Sequence, residues 1–176
     1  MAKGKIIEAS LAGENVLSED NPRSRELYDK SRLGELKSGK FRYSLYESLF
    51  LIETKKMDVI STNKNLSTED FIKKAKRIDK NFFVKYLVFK DIRSRGYIVK
   101  TALKFGAEFR VYGKGTKPGE GHAKWIVFPV HETGTLTWHD LSAKSRVSHS
   151  TKKNLLIAVV DDESDVTYYE VAWKKP

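Results

Sequence analysis

The stretch GYIVKTALKFGAEFRVYG, residues 96–113, is where the period of the chain changes. Before it, Phe82, Tyr86 and Phe89 recur at helical spacing along one face. Gly96 ends that helix, since glycine takes the left-handed C-cap conformation without steric cost. After it, YIVK reads as a short strand, TALKFG as a helical turn or short helix, and AEFRVYG as an alternating strand. Downstream, WIVFPV (125–130) is a further strand, with Pro129 marking an edge or a bulge because proline cannot donate to a ladder. Residues 138–146 read as helix. LLIAVVD (155–161) and VTYYEVAW (166–173) read as two strands joined by the acidic hairpin DESD.

Upstream, residues 1–40 mix short apolar runs with turn-rich charged sequence, which predicts small strands and loops rather than a long helix. Ser44 and Glu47 form a capping-box pattern ahead of Leu45, Leu49 and Ile52. Ser67 opens another helix, through STED, that runs towards Lys80. The expected fold is mixed α+β and α/β. A small N-terminal helix-strand domain (1–85) precedes a C-terminal α/β domain (86–176) built on a central mixed sheet.

The 176 residues carry 33 Lys and Arg against 23 Asp and Glu, a formal charge of +10. A field of that sign selects an anionic partner such as nucleic acid, although a solvated basic surface of the kind thermophile proteins carry would give the same count. Divided near residue 85, the halves hold 17 against 13 and 16 against 10, so the excess is no tail. Without cysteine there is no disulfide, thiolate zinc site or cysteine nucleophile. No apolar run is long enough to span a bilayer, and MAKGKIIEAS is too short an apolar start for a signal peptide; a cytoplasmic protein is expected.

The loop in RVYGKGTKPGEGHAKW (110–125) lacks the GxxxxGK[ST] spacing of a phosphate cradle and precedes a strand, so a hairpin loop is the better reading. His122, His131, His139 and His149 show no HxH or HExxH spacing, so neither a metal nor any other cofactor is expected, and no GxSxG elbow is present. Tyr112, His122 and the pair Lys152–Lys153 remain. Each has an ordinary role taken singly: strand-end packing, a surface histidine, a solvated lysine. Together on neighbouring strand ends of a basic surface, they would suit phosphodiester cleavage without metal.

From Asp91 onward, DIRSRGYIVKTALKFGAEFRVYGKG, then HAKWIVF, then SRVSHSTKKNLLIAVVDDESDVTYYEV closely resemble the archaeal tRNA-splicing endonucleases over about the last half of the chain. The N-terminal part has the length and helical content of that family's smaller domain. The resemblance implies a homotetramer that cuts precursor tRNA at two bulges flanking a short helix. The substrate 2′-OH would attack the adjacent phosphorus, leaving a 2′,3′-cyclic phosphate and a 5′-OH. It puts the catalytic residues at Tyr112 as general base, His122 as general acid and Lys153, rather than Lys152, as stabiliser of the phosphorane charge. An ordinary phenol titrates near ~10, so the base needs a cationic neighbour. Arg146 and Trp173 are the implied clamp on a bulged base, supplied by the subunit opposite the cleaving one. Asp161, Asp162, Glu163 and Asp165 form the acidic loop that docks into a neighbouring subunit, and VTYYEV is the strand that pairs two subunits. Two other expectations stand beside this one: the catalytic subunit of a heterotetramer, and a structured-RNA-binding protein that does not cleave. A DNA nuclease would need the PD-(D/E)xK-like carboxylates that this sequence lacks.

Overall fold

The computed structural model describes residues 6–103 and 106–174, and the chain divides into two compact units, Met1–Phe83 and Val84–Pro176. The first holds a six-stranded sheet in the order β3-β4-β2-β1-β5-β6. Its strands are β1 (Ile7–Ala12), β2 (Asn15–Glu19), β3 (Glu35–Lys37), β4 (Lys40–Ser44), β5 (Met57–Ser61) and β6 (Lys64–Asn65). Only β1 and β5 pair in parallel. Three helices belong to this unit: α1 (Pro22–Ser31), α2 (Leu45–Glu53) and α3 (Thr68–Ile78).

The ten residues of α1 lie inside the segment expected to form strands and loops. Asn21 caps the helix by accepting the Ser24 N–H at 2.9 Å, and Pro22 supplies the fixed φ of a first helical position. The helix buries only Ser24 and Leu27, so its apolar period is faint and the cap was its one clear signal. In α2 the capping box forms as expected. Ser44 Oγ accepts from Glu47 N–H at 3.2 Å, and the Glu47 carboxylate accepts from Ser44 N–H at 2.9 Å. That carboxylate is buried and also accepts from Gly34 N–H. Gly34 has φ +75°, and a Cβ there would lie 2.5 Å from the Tyr43 ring, so both backbone and packing require glycine.

The second unit opens with α4 (Phe82–Ser94), whose first two residues belong to the other unit. Its sheet has the order β11-β10-β9-β8-β7. The strands are β7 (Ile98–Thr101), β8 (Phe109–Tyr112), β9 (Trp125–His131), β10 (Asn154–Val160) and β11 (Val166–Val171); α5 (Trp138–Ser150) connects β9 to β10. β9 and β10 run parallel and every other pair is antiparallel, which makes the mixed sheet expected from the sequence. Alternation assigns the two faces. Ile126, Phe128, Leu155 and Ile157 pack with Leu141 and Val147 of α5. On the other face Phe109 meets Phe89 of α4 at 5.9 Å between ring centroids. Each such side chain, fully buried, contributes roughly 1.5–3 kcal/mol.

Two local expectations change. β9 is a central strand, yet it pairs with β8 only through Trp125–Val127, so Pro129 sits where β9 has run past its neighbour and owes that side no N–H. α5 extends four residues beyond position 146. The helical reading of TALKFG falls partly on residues 104 and 105, outside the described residues.

A partly buried polar contact ties β11 to α4. Tyr168 O–H donates to Asp91 Oδ2 at 2.7 Å, and Arg95 Nε donates to the same oxygen at 2.8 Å. Burial first, then the hydrogen bond and charge of Asp91, push the Tyr168 hydroxyl far above the usual phenol range. A raised folded value means the proton is held more tightly in the folded state. The associated stability is full below the unfolded value near ~10 and is lost as pH rises beyond it. Tyr168→Phe should therefore cost about 1 kcal/mol at neutral pH. In denaturant titrations run from about pH 9 to 11.5, the variant should lose stability with pH less steeply than the parent chain.

Candidate active site

The hydrogen-bond register collects the sequence's candidate residues at one end of the second sheet. Val111 of β8 is opposite Trp125 of β9, and Trp125 is opposite Asn154 of β10. One residue further out, Lys124 N–H donates to Val111 O and Asn154 N–H donates to Lys124 O, both at 2.9 Å. Tyr112, the last residue of β8, and Lys153, the residue before β10, thus flank the start of β9. They stand about two strand spacings, roughly 10 Å, apart. Tyr112 follows Val111 and Lys153 precedes Asn154, both residues of the α4 face in the pleat, so the two fall on the α5 face. His122 lies two residues before Lys124, at the end of the β8–β9 loop.

Each candidate is set by a different local device. Tyr112 is 4% exposed, with the Arg110 guanidinium 5.9 Å from its ring centroid. Packing around such a ring fixes where its hydroxyl can be. His122 is exposed on a loop whose turns are closed by Thr116 N–H to Gly113 O and by Gly121 N–H to Lys117 O. Gly115 and Gly119 take φ +82° and +89° in that loop. The connection is a hairpin between antiparallel strands, as read from the sequence, with no helix after it to cradle a phosphate.

Lys153 owes its position to the end of α5. Lys152 N–H donates to His149 O and Lys153 N–H to Ser148 O, with Lys152 at φ +53°. These are the two bonds and the left-handed residue of a Schellman turn, with a lysine where glycine is usual. The turn sends Lys153 into the sheet, where its Nζ donates to Thr151 O at 2.8 Å, and leaves Lys152 exposed.

Arg146 lies on the exposed side of α5, its Nε donating weakly to Ser142 O at 3.4 Å. Trp173 is 58% exposed and meets the His149 ring edge-on at 4.8 Å. His149 follows Arg146 by three residues, one turn along the same helix. The spacing of His149 from Arg146 is visible in the sequence, and its contact with Trp173 is not. Asp161, Asp162, Glu163 and Asp165 occupy the β10–β11 turn, at the far end of β10 from Lys153 and about 20 Å away at strand rise. Asp161 organises the turn by accepting from Asp165 N–H at 2.8 Å. Glu132 accepts from Asp162 N–H, and His131 Nε2 lies 3.4 Å from the Asp162 carboxylate. The acidic tip is therefore separate from the Tyr112–His122–Lys153 cluster.

The α4 face carries a small apolar pocket of about 140 Å³, walled by Ile92, Tyr97, Trp125, Leu156 and Tyr168, on the opposite side of the sheet from Tyr112. Among the described residues, no three His, Asp or Glu stand together where they could hold a metal ion. No helix among them is long and apolar enough to cross a membrane.

Comparison with known proteins follows the two units. The description "tRNA intron endonuclease, N-terminal domain" matches residues 7–72, and "tRNA intron endonuclease, catalytic C-terminal domain" matches residues 82–168. The tRNA-splicing endonuclease of Pyrococcus abyssi is 41% identical over 171 residues, covering 97% of this chain and 98% of its own. That of Pyrococcus furiosus is 42% identical over 170 residues, covering 97% and 98%. The one from Methanothermobacter thermautotrophicus is 38% identical over 170 residues, covering 97% and 99%.

The two adjacent lysines predict opposite responses. Lys152→Gly relieves a strained left-handed backbone and should raise the chemical-denaturation midpoint, by about 0.5–1 kcal/mol in stability. Lys152→Val should lower it, because a branched Cβ fits that conformation worse. Lys153→Gly gains nothing of the kind and loses the bond to Thr151.

Proposed function

On the premise that the chain belongs to the tRNA intron endonuclease family, we propose that it removes introns by cutting precursor tRNA at both boundaries of a bulge-helix-bulge element. It is an endoribonuclease of tRNA splicing, like its relatives over nearly their whole length. In the proposed reaction the substrate 2′-oxygen attacks the adjacent phosphorus and the bond to the 5′-oxygen breaks. The products are a 2′,3′-cyclic phosphate and a 5′-OH, formed without a metal ion.

One observation carries the reading: the β8–β9–β10 register row that joins Tyr112, the approach to β9 from His122, and Lys153. In-line displacement needs a base on the side of the attacking oxygen and an acid on the side of the leaving oxygen. Tyr112 receives the 2′-OH proton and His122, protonated, gives one to the 5′-oxygen. The histidine comes from an exposed loop and the tyrosine from a packed strand end, so they can approach one phosphate from different sides. Lys153 faces charge that is larger in the pentacoordinate state than in the ground state, which is where a fixed cation lowers the barrier.

Arg146 and Trp173 stack on a bulged base of the substrate cut by the opposite subunit. The exposed indole and its edge contact with His149 support that role. Assembly is proposed as a dimer of dimers. β11 closes one edge of the sheet and offers an unpaired ladder to a second copy, and the acidic tip offers four carboxylates to a basic cleft of another. Two copies of the site then meet the two bulges of one substrate.

The test is cleavage of an intron-containing precursor tRNA in EDTA with end-group analysis. The parent chain should cut at both bulges and leave cyclic phosphate and 5′-OH. Tyr112→Phe, His122→Ala and Lys153→Ala should each lower the single-turnover rate about 10²–10⁴-fold while still binding RNA. Cleavage that needs added magnesium, or that survives all three substitutions, overturns the mechanism. Light scattering of the chain alone should give about 81 kDa, four chains of 20.2 kDa.

A further inference from the structure

The N-terminal unit holds all of its excess charge in eight residues. Within 73–80, KKAKRIDK, five Lys and Arg stand against one Asp; the rest of residues 1–83 has 12 of each sign. On α3 the positions follow the helical turn. Phe71 and Ala75 are buried, and at 100° per residue Lys73, Lys76 and Arg77 fall in an arc of about 100° on the opposite, solvent face. Lys80 follows just after the helix end, also exposed.

These cations differ from those around α1. On and beside α1, Arg23 and Lys30 pair with Glu26, Arg25 with Asp20 and Arg32 with Asp29. None of Lys73, Lys76, Arg77 and Lys80 has a carboxylate within 4 Å among the described residues. Nearby carboxylates are engaged elsewhere or stand apart: Asp70 accepts from Ser67 O–H, and Asp79 accepts from Tyr46 O–H and Asn81 N–H. Glu69 shares the face but opens the helix and pairs with none of them. A stripe of like charges costs helix stability, and on α1 such charges are balanced locally.

Resting on the RNA-cleaving reading above, we infer that the exposed face of α3 is a second RNA-contacting surface, gripping the phosphodiester backbone of the precursor tRNA in a sequence-independent way. The chemistry is that of counterion release. Flexible ammonium and guanidinium groups, spaced along a rod and without carboxylate partners in the free protein, gain most from a continuous polyanion; the Lys76 ammonium lies 5.0 Å from the centroid of the Phe83 ring, a contact that leaves its charge unneutralised. The side chains are far in sequence from Tyr112, His122 and Lys153 and have no part in the proposed proton transfers, so the surface serves affinity and leaves the chemical step alone.

The full-length triple variant Lys73→Gln/Lys76→Gln/Arg77→Gln tests this. Binding of precursor tRNA is measured across salt concentrations in a His122→Ala background, and single-turnover cleavage at saturating enzyme in the parent background. The slope of log K against log salt should fall by about 2–3, and affinity near physiological salt by on the order of tenfold to a hundredfold. The saturated cleavage rate should stay unchanged, and Lys73→Arg/Lys76→Arg should keep the full slope. An unchanged slope in the triple variant overturns the inference while leaving intact a parent chain that cuts. Failure of the parent chain to cut would instead overturn the function it rests on. A fall in particle mass by light scattering with no change in slope would assign the stripe to contact between copies, and would also overturn it.

Discussion

Everything at the candidate site depends on the parallel pairing of β9 with β10. Two parallel strands cannot be joined by a tight turn, because the chain must return to the starting end before the second begins. Here α5 makes that return, and its Schellman turn releases Lys153 where β9 starts. β8 is antiparallel to β9, so its last residue, Tyr112, ends at the same edge. Three strand termini far apart in sequence are brought to one line by backbone hydrogen bonds alone.

The same pairing sets the other end of the molecule's chemistry. Since β10 leaves the cluster and runs the full length of the sheet, its hairpin with β11 must place Asp161–Asp165 at the opposite edge. The negative tip and the basic cluster are held apart by seven residues of extended chain, so the carboxylates do not neutralise Lys153 within one subunit. The proposed binding and assembly features can then coexist on a strongly basic protein. The α4 side completes the arrangement: Asp91, Arg95 and Tyr168 lock the edge strand to the helix that opens the unit.

Much of this was legible in the residues. The strands after Gly96, the acidic hairpin, the capping box at Ser44 and the N-cap at Ser67 appear where local rules put them, because each is decided by near neighbours. α1 was not foreseen. It buries only Ser24 and Leu27, too little for an apolar period, and its signal was confined to Asn21 and Pro22. Pro129 was half legible: the missing N–H excluded a fully paired position, but that β9 would be central and run past β8 depends on strand order.

The sequence by itself determined which residues are candidates for the chemistry, the basic balance and, through its motifs, the resemblance that names a family. It could not tell Lys152 from Lys153 by type, since both are lysines beside the same strand. The tertiary structure separated them, because only one of two adjacent residues can take the left-handed position that ends α5, and the next then enters the sheet. His149, unremarkable in the sequence, gained a neighbour in Trp173 only when β11 folded back beside α5. Residue types and short-range signals are written along the chain; which of them share an edge is fixed by register, and register is a property of pairs of strands.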